Sequence, residues 1–358
     1  MTSSGPTGFS GTSRSTSATI RPSILRYLAV VARERGIDLQ PDLTAVGLDT
    51  AVLQSPELRV SYRQGSSVIA RALDLTGDPA LGLAVGGAQR MTAWGPLGFA
   101  LLASETLRDA VELGVRCQNL TGAMLVFSIQ AGHGGFALRA DLPDPELDQA
   151  VGVFLLDEAL SSVVTLIRLA VGDSFAPRLV EFAYPAPADS TRHGELFRCP
   201  VRFGAEANRC VFTPGWARSP MPDRDPWALA SMMALLDREM SSRREQQDLL
   251  EVLEVAIARS LPEVPSVAEQ ARRHSTSERT LRRRLAQCGT TYEAIVDGVR
   301  RERVEQLLGR SSLTLHDVAR RVGFADERAL RRAVRRWHGM APLELRRALD
   351  ELEKAAVH

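Results

Sequence analysis

The sequence is almost without lysine: of its 44 basic residues only Lys354 is one, and the rest are arginine. Such one-sided usage reads mostly as base bias in the coding DNA. Cysteine is scarce too. Cys117, Cys199, Cys210 and Cys288 lie far apart and form no CxxC pair. That excludes a disulfide scaffold and a zinc knuckle, and it fits a reducing cytoplasm. No apolar run approaches the roughly 20 residues of a membrane span, so no membrane partner is expected. Residues 1–20 are rich in Ser, Thr and Gly and lack an apolar core, which reads as a disordered tail and not as a signal peptide. Nothing in the sequence calls for a metal or a cofactor.

What is present is ordinary globular composition, 44% hydrophobic and 24% charged, in 358 residues, enough for two domains. The net charge of +1 hides an asymmetry. From Leu261 onward there are 20 basic against 14 acidic residues, and the preceding 260 residues carry 24 against 29. A basic end on an acidic body points to a polyanionic partner for that end.

Helical spacing runs through 24–37, 58–77 (ending at Gly77) and a segment starting near Ser104 or Thr106, with Ser104 taken as its cap; a further helix is expected over 146–171. Strands are expected at 125–130 and 135–140, joined by "AGHGG", and at 179–184 and 208–213 around a short helix at 189–197. This body, 21–226, reads as an α+β domain for ligand sensing or dimerisation, closed by the proline-rich 213–226. Residues 227–261 read as one or two connecting helices, either dimerising or packed on their own body. From 262 to 348 the pattern is all helical, and 349–358 reads as a second tail.

Two stretches of that end are near copies, "SERTLRRRL" at 277–285 and "DERALRRAV" at 326–334. Before the second copy, Thr314 and Asp317 form a variant capping box, and Leu315, Val318, Ala319 and Val322 make a one-sided stripe. Gly323 suits a left-handed C-cap, and Asp326 suits the N-cap of the next helix, whose stripe is Leu330, Ala333, Val334 and Trp337. Two short helices sharing a core across a tight turn are a helix-turn-helix. At about 100° per residue, Arg328, Arg331, Arg332 and Arg335 fall opposite the stripe. In the first copy Leu281, Leu285 and Cys288 are the stripe, and Arg279, Arg282 and Arg283 project away; Ser266 and Glu269 cap the preceding helix. A long amphipathic helix at 291–310 joins the modules. Arginine reads guanine bidentately in the major groove, and helices roughly 34 Å apart would enter successive grooves. A single arginine-rich face is as readily just a solvated surface; two copies in phase favour nucleic acid.

With "TLHDVARRVGF", "LRRAVRRWHG" and "PLELRR" added, the C-terminal part resembles the AraC/XylS family of bacterial transcription regulators. "WGPLGFALLASETLRDAV" and "FRCPVRFGAEANRCVFT" resemble its arabinose-binding-like N-terminal domain. The resemblance implies an α+β N-terminal domain, then an all-α domain with two helix-turn-helix motifs joined by a long helix. It implies a DNA-binding regulator, not an enzyme, an activator or dual in action, with double-stranded DNA, RNA polymerase, a small-molecule effector and a second copy as partners. DNA contacts carry over to Arg279, Thr280, Arg282, Arg283, Arg328, Arg331 and Arg332, with Arg335 in phase. The departures are His274-Ser275 where Leu-Gly is usual, Gln270 at a commonly apolar position, Leu330 and Val334 where aromatic residues are common, and Ala325 in place of a frequent serine.

Trp94, Phe99, Phe127 and Phe136 are candidates for an effector pocket, with core packing as the plainer use. His274 reads as a half-buried imidazole with a polar partner more than as a pH sensor, and Cys199 with Cys210 as thiols without a strongly basic setting. Two other functions remain open. A DNA-alkylation repair protein would need a Pro-Cys-His-Arg nucleophile and four clustered cysteines, whereas Cys199 sits in "RCPVR". A non-specific architectural DNA binder would show no protected site in the presence of competitor DNA.

Overall fold

The computed structural model describes residues 20–55, 58–132, 135–144, 147–309 and 313–356. The expected tail at 1–19, the His133-Gly134 turn and the last two residues lie outside them. The chain divides into two units, one up to Met240 and the other from Ser241 onward.

The first unit is α+β. It opens with α1 (Ser23–Glu34), α2 (Gln40–Ala45), α3 (Tyr62–Thr76), α4 (Leu81–Gly87), α5 (Pro96–Leu102) and α6 (Leu107–Arg116). Ile20, expected in the tail, is bridged to Val60 through two backbone hydrogen bonds. α3 keeps the expected stop, with Gly77 left-handed at φ 59° and a Ser61–Gln64 capping box at its start. The cap of α6 is Thr106 and not Ser104: Thr106 and Asp109 satisfy each other's backbone N–H groups, while buried Ser104 donates to the Ala100 carbonyl. The acid three residues on is what makes Thr106 the better cap.

Five strands follow, β1 (Val126–Gly132), β2 (Gly135–Asp141), β3 (Leu179–Glu181), β4 (Val201–Arg202) and β5 (Asn208–Phe212), ordered β1-β2-β5-β3-β4. Among the described residues only the β3–β4 pair is parallel. Between them run α7 (Gln149–Val171) and α8 (Thr191–Phe197), and α9 (Pro214–Ala217) closes the series. α7 corrects one expectation: it is long and apolar enough by hydropathy to cross a membrane, yet 78% of its most apolar window is buried inside the fold. It is a core helix. α4 lies against it because Gly82 and Gly86 have no Cβ; one on Gly86 would sit 1.9 Å from Ser161 Oγ. Behind α7, the Asp157 carboxylate takes the Tyr184 hydroxyl at 2.5 Å and faces His193 Nε2 at 3.1 Å, tying α7 to α8.

α10 (Pro226–Ser260) is one continuous helix. Leu229, Met233, Leu236 and Met240 belong to the core of the first unit, and Leu253 and Ile257 to that of the second. The second unit is all helical: α11 (Val267–Arg273), α12 (Glu278–Gln287), α13 (Tyr292–Gly309), α14 (Leu315–Arg321), α15 (Glu327–His338) and α16 (Pro342–Ala356), the last running past the point where a tail was expected. It holds two small cores, and α13 contributes to both: Tyr292, Ile295 and Val299 to one, Val304, Leu307 and Leu308 to the other.

The two turns have one geometry made from different residues. Thr276 N–H reaches the Ala271 carbonyl and Phe324 N–H the Ala319 carbonyl, each at 2.9 Å. The left-handed residue is Gly323 (φ 78°) in the second turn but Ser275 (φ 50°) in the first. The first module carries a second penalty. Gln270 is fully buried, and its amide lies against the Tyr292 hydroxyl without a well-aligned bond, that hydroxyl donating to the Pro265 carbonyl at 2.7 Å. The second module is braced from α13. Arg300 donates to the Val322 and Gly323 carbonyls at 3.0 Å and lies over the Phe324 ring. Asp297 accepts from Trp337 Nε1 at 2.8 Å and holds Arg336 through both carboxylate oxygens.

Left-handed backbone costs a non-glycine residue about 1–2 kcal/mol, so Ser275→Gly should stabilise the second unit by about 0.5–1 kcal/mol. Gly323→Ala should destabilise it by about 2 kcal/mol or more, because its Cβ would also lie 2.3 Å from the Pro262 carbonyl oxygen. Denaturant midpoints of the two variants check this, and shifts of the same sign would contradict it. Asp297→Ala leaves Trp337 Nε1 without its acceptor, a loss of about 1–3 kcal/mol that hydrogen exchange across α15 should report, with Asp297→Asn retaining part of the protection.

Candidate nucleic-acid interface and ligand cavity

α12 and α15 present their arginines outward because their other faces are committed. Leu281 and Leu285 are buried in one core, and Leu330, Ala333, Val334 and Trp337 in the other. Ser277 caps α12 and Asp326 caps α15, each accepting from a backbone N–H of the first turn. Arg279, Arg282 and Arg283 on α12 and Arg328, Arg331, Arg332 and Arg335 on α15 are all exposed. Thr280 is half-buried, its hydroxyl 2.9 Å from Ser277 Oγ within the cap.

The combs are not uniform. Arg282 donates to Glu278 at 2.9 Å and to Glu293 at 3.2 Å, and Arg331 pairs with Glu327 at 3.3 Å. Arg279, Arg283, Arg328, Arg332 and Arg335 have no ion pair among the described residues. Exposed pairs contribute about 0–1 kcal/mol, so Arg282 and Arg331 are held in place by their carboxylates and readily exchanged to another anion. Arg336, next to the comb in sequence, is turned back onto Asp297 and lies outside it. The result is two short helices, each offering several guanidinium forks to solvent, the geometry suited to phosphate oxygens and guanine edges.

In the first unit a cavity of about 110 Å³ lies between α1, α6, the sheet and α7. Of the four aromatics named from the sequence, Trp94 and Phe127 line it. Phe99 is 57% exposed, and Phe136 stacks on Phe212 at 4.5 Å in the core. The polar lining includes residues that sequence reasoning missed. Glu158 on α7 is 4% exposed and accepts a hydrogen bond from the Gln89 amide, Gln89 being equally buried. Burial pushes the Glu158 carboxyl up to about 8, the Gln89 bond offsetting part of the rise. The available signal was a carboxylate in the midst of "VGVFLLDEALSSVV".

The remaining polar candidates are two thiols and a histidine. Burial pushes the Cys199 thiol up to about 11 and the Cys210 thiol higher still, away from reactive thiolate. His274 is half-buried at the end of α11, its backbone N–H on the Gln270 carbonyl. Among the described residues no three His, Cys, Asp or Glu side chains gather to hold a metal ion.

Comparison with known proteins agrees with this layout. Residues 36–221 match the family described as the arabinose-binding domain of AraC transcription regulator, N-terminal, and residues 270–348 match a helix-turn-helix domain. The chain is similar to the ornithine utilization regulator of Pseudomonas aeruginosa, 29% identical over 88% of this chain and 92% of that one. It is similar to the HTH-type transcriptional regulator VqsM of the same organism, 27% identical over 74% and 83%. Among solved structures, the transcriptional regulator CdpR from Pseudomonas aeruginosa aligns over 91% of this chain and 98% of that chain, with 24% identity and a TM-score of 0.46. The chain belongs to the AraC family of transcription regulators, with an arabinose-binding-type N-terminal domain ahead of its helix-turn-helix DNA-binding domain.

Proposed function

We propose that the protein is a sequence-specific transcription regulator, an activator, that reads duplex DNA with α12 and α15 and answers to a small molecule in the cavity of its first unit. The observation that carries this reading is the pair of arginine combs, each on the outer face of a helix whose inner face is locked in a core. On this reading Arg279, Arg283, Arg328, Arg332 and Arg335 meet DNA directly, Thr280 approaches the backbone at the start of α12, and Arg282 and Arg331 exchange carboxylates for DNA. The protein works in the cytoplasm, contacts RNA polymerase at its promoters and pairs with a second copy through α10. That helix leaves Trp227 at 78% exposure and Val252 at 49%, apolar surface suited to a partner. Effector control is a population shift: a ligand that favours one state of the first unit biases DNA affinity.

The test is selection of a binding site from random duplexes, then titration of variants on that site. Arg331→Ala and Arg282→Ala should each weaken specific binding by about 1–3 kcal/mol. A variant that loses a base contact relaxes sequence preference at one position. One that loses a phosphate contact lowers the salt slope by about one instead. Footprints indistinguishable from wild type for both variants would remove the combs from the reading face.

A further inference from the structure

We propose that the cavity of the first unit receives a small apolar primary amine, bound as an ammonium against Glu158 with its hydrocarbon body along α7; this rests on the reading of the cavity as the effector site.

Size sets the first limit. An engineered cavity of about 150 Å³ holds a benzene, so about 110 Å³ suits a molecule of about four or five non-hydrogen atoms. Met91, Met124 and Met221 line the space, and thioether side chains adapt readily to an incoming shape.

Charge sets the class. Glu158 is the only ionisable side chain among the described residues lining the cavity, so a carboxylate or phosphate ligand would find no cation there. One Glu158 oxygen takes the Gln89 amide; the other has no hydrogen bond among the described residues. No neighbouring charge competes for it, since Asp157, the next residue, is turned to Tyr184 and His193. Ser162, one turn on, lines the same cavity, and its hydroxyl donates to the Ala159 carbonyl, leaving its lone pairs to accept. Ser23 lines it from α1. A primary ammonium has three donors, and the carboxylate with two hydroxyl oxygens supplies three acceptors. Beyond Ser162 the α7 face is Val163, Leu166, Ile167 and Ala170, wholly apolar. A buried carboxylate is costly unless paired, and burial accordingly raises the Glu158 carboxyl to about 8. Amine binding therefore expels the Glu158 proton to solvent as the ammonium takes its place.

The experiment is calorimetric titration of the full chain with butylamine, 1-butanol, butyrate and L-ornithine, in buffers of different ionisation enthalpy. Butylamine should bind best, release close to one proton at pH 7, and gain about tenfold in affinity between pH 6 and pH 7, the direction set by a carboxyl that ionises only toward pH 8. Glu158→Gln should weaken butylamine tenfold or more and change 1-butanol little, which also shows that the variant folds. Should it not fold, Ser162→Ala and the proton release of the wild type carry the test alone. Tighter binding of butyrate, ornithine or 1-butanol, with no proton released, would overturn the amine class and leave the effector cavity standing. Binding of none of the four would overturn both.

Discussion

Both arginine-bearing helices, α12 and α15, hang from one rod. α13 places Tyr292, Ile295 and Val299 in the core behind α12, and Val304, Leu307 and Leu308 in the core behind α15. Neither module can turn without withdrawing apolar side chains from its core, at about 1.5–3 kcal/mol for each one exposed. The separation and facing of the two combs are thus packing properties of a single helix. Arg300 and Asp297 add direction to that constraint, one clamping the second turn and the other the inner edge of α15. The first module is tied to α13 by other means, the Tyr292 hydroxyl on the Pro265 carbonyl and the exposed Glu293–Arg282 pair. It also carries Ser275 in left-handed backbone and a poorly satisfied Gln270, so the two halves of the DNA-binding unit differ in stability although they share one shape.

The outward arginines follow from the same constraint. A guanidinium facing the core would need partners that these small apolar cores do not have. With the stripes of Leu281 and Leu285, and of Leu330, Val334 and Trp337, fixed inward, the charge has nowhere else to go. Glu278 and Glu293 pair with Arg282, and Glu327 with Arg331, at the surface. The first unit does the opposite: among the described residues lining its apolar cavity, the one ionisable side chain, Glu158, is turned inward.

Local signals were the legible ones. Caps at Ser266, Thr314 and Asp326, the Gly77 and Gly323 stops, the helical stripes and the hairpin either side of "AGHGG" all rest on residues within a few positions of each other, and the elements stand within a few residues of the expected bounds. Where two local signals competed, the weaker one misled: Ser104 resembles a cap, but only Thr106 has its acid three residues on. Long-range pairings were not legible. Gln89 and Glu158 are 69 residues apart, and Asp297 and Trp337 are 40 apart. Nothing in a single sequence announces that a polar residue in an apolar helix faces a cavity instead of a partner. The aromatic candidates show the same limit: periodicity places Phe136 on a strand but cannot say that Phe212 fills the space beside it.

The central claim is that α13 holds the two combs at a fixed spacing on DNA. Hydroxyl-radical footprinting on a selected site tests it directly. The account predicts two protected segments on one face of the duplex, about one helical turn apart, and loss of one segment when five base pairs are inserted between them. A single continuous footprint, or two segments that both survive the insertion, would contradict it.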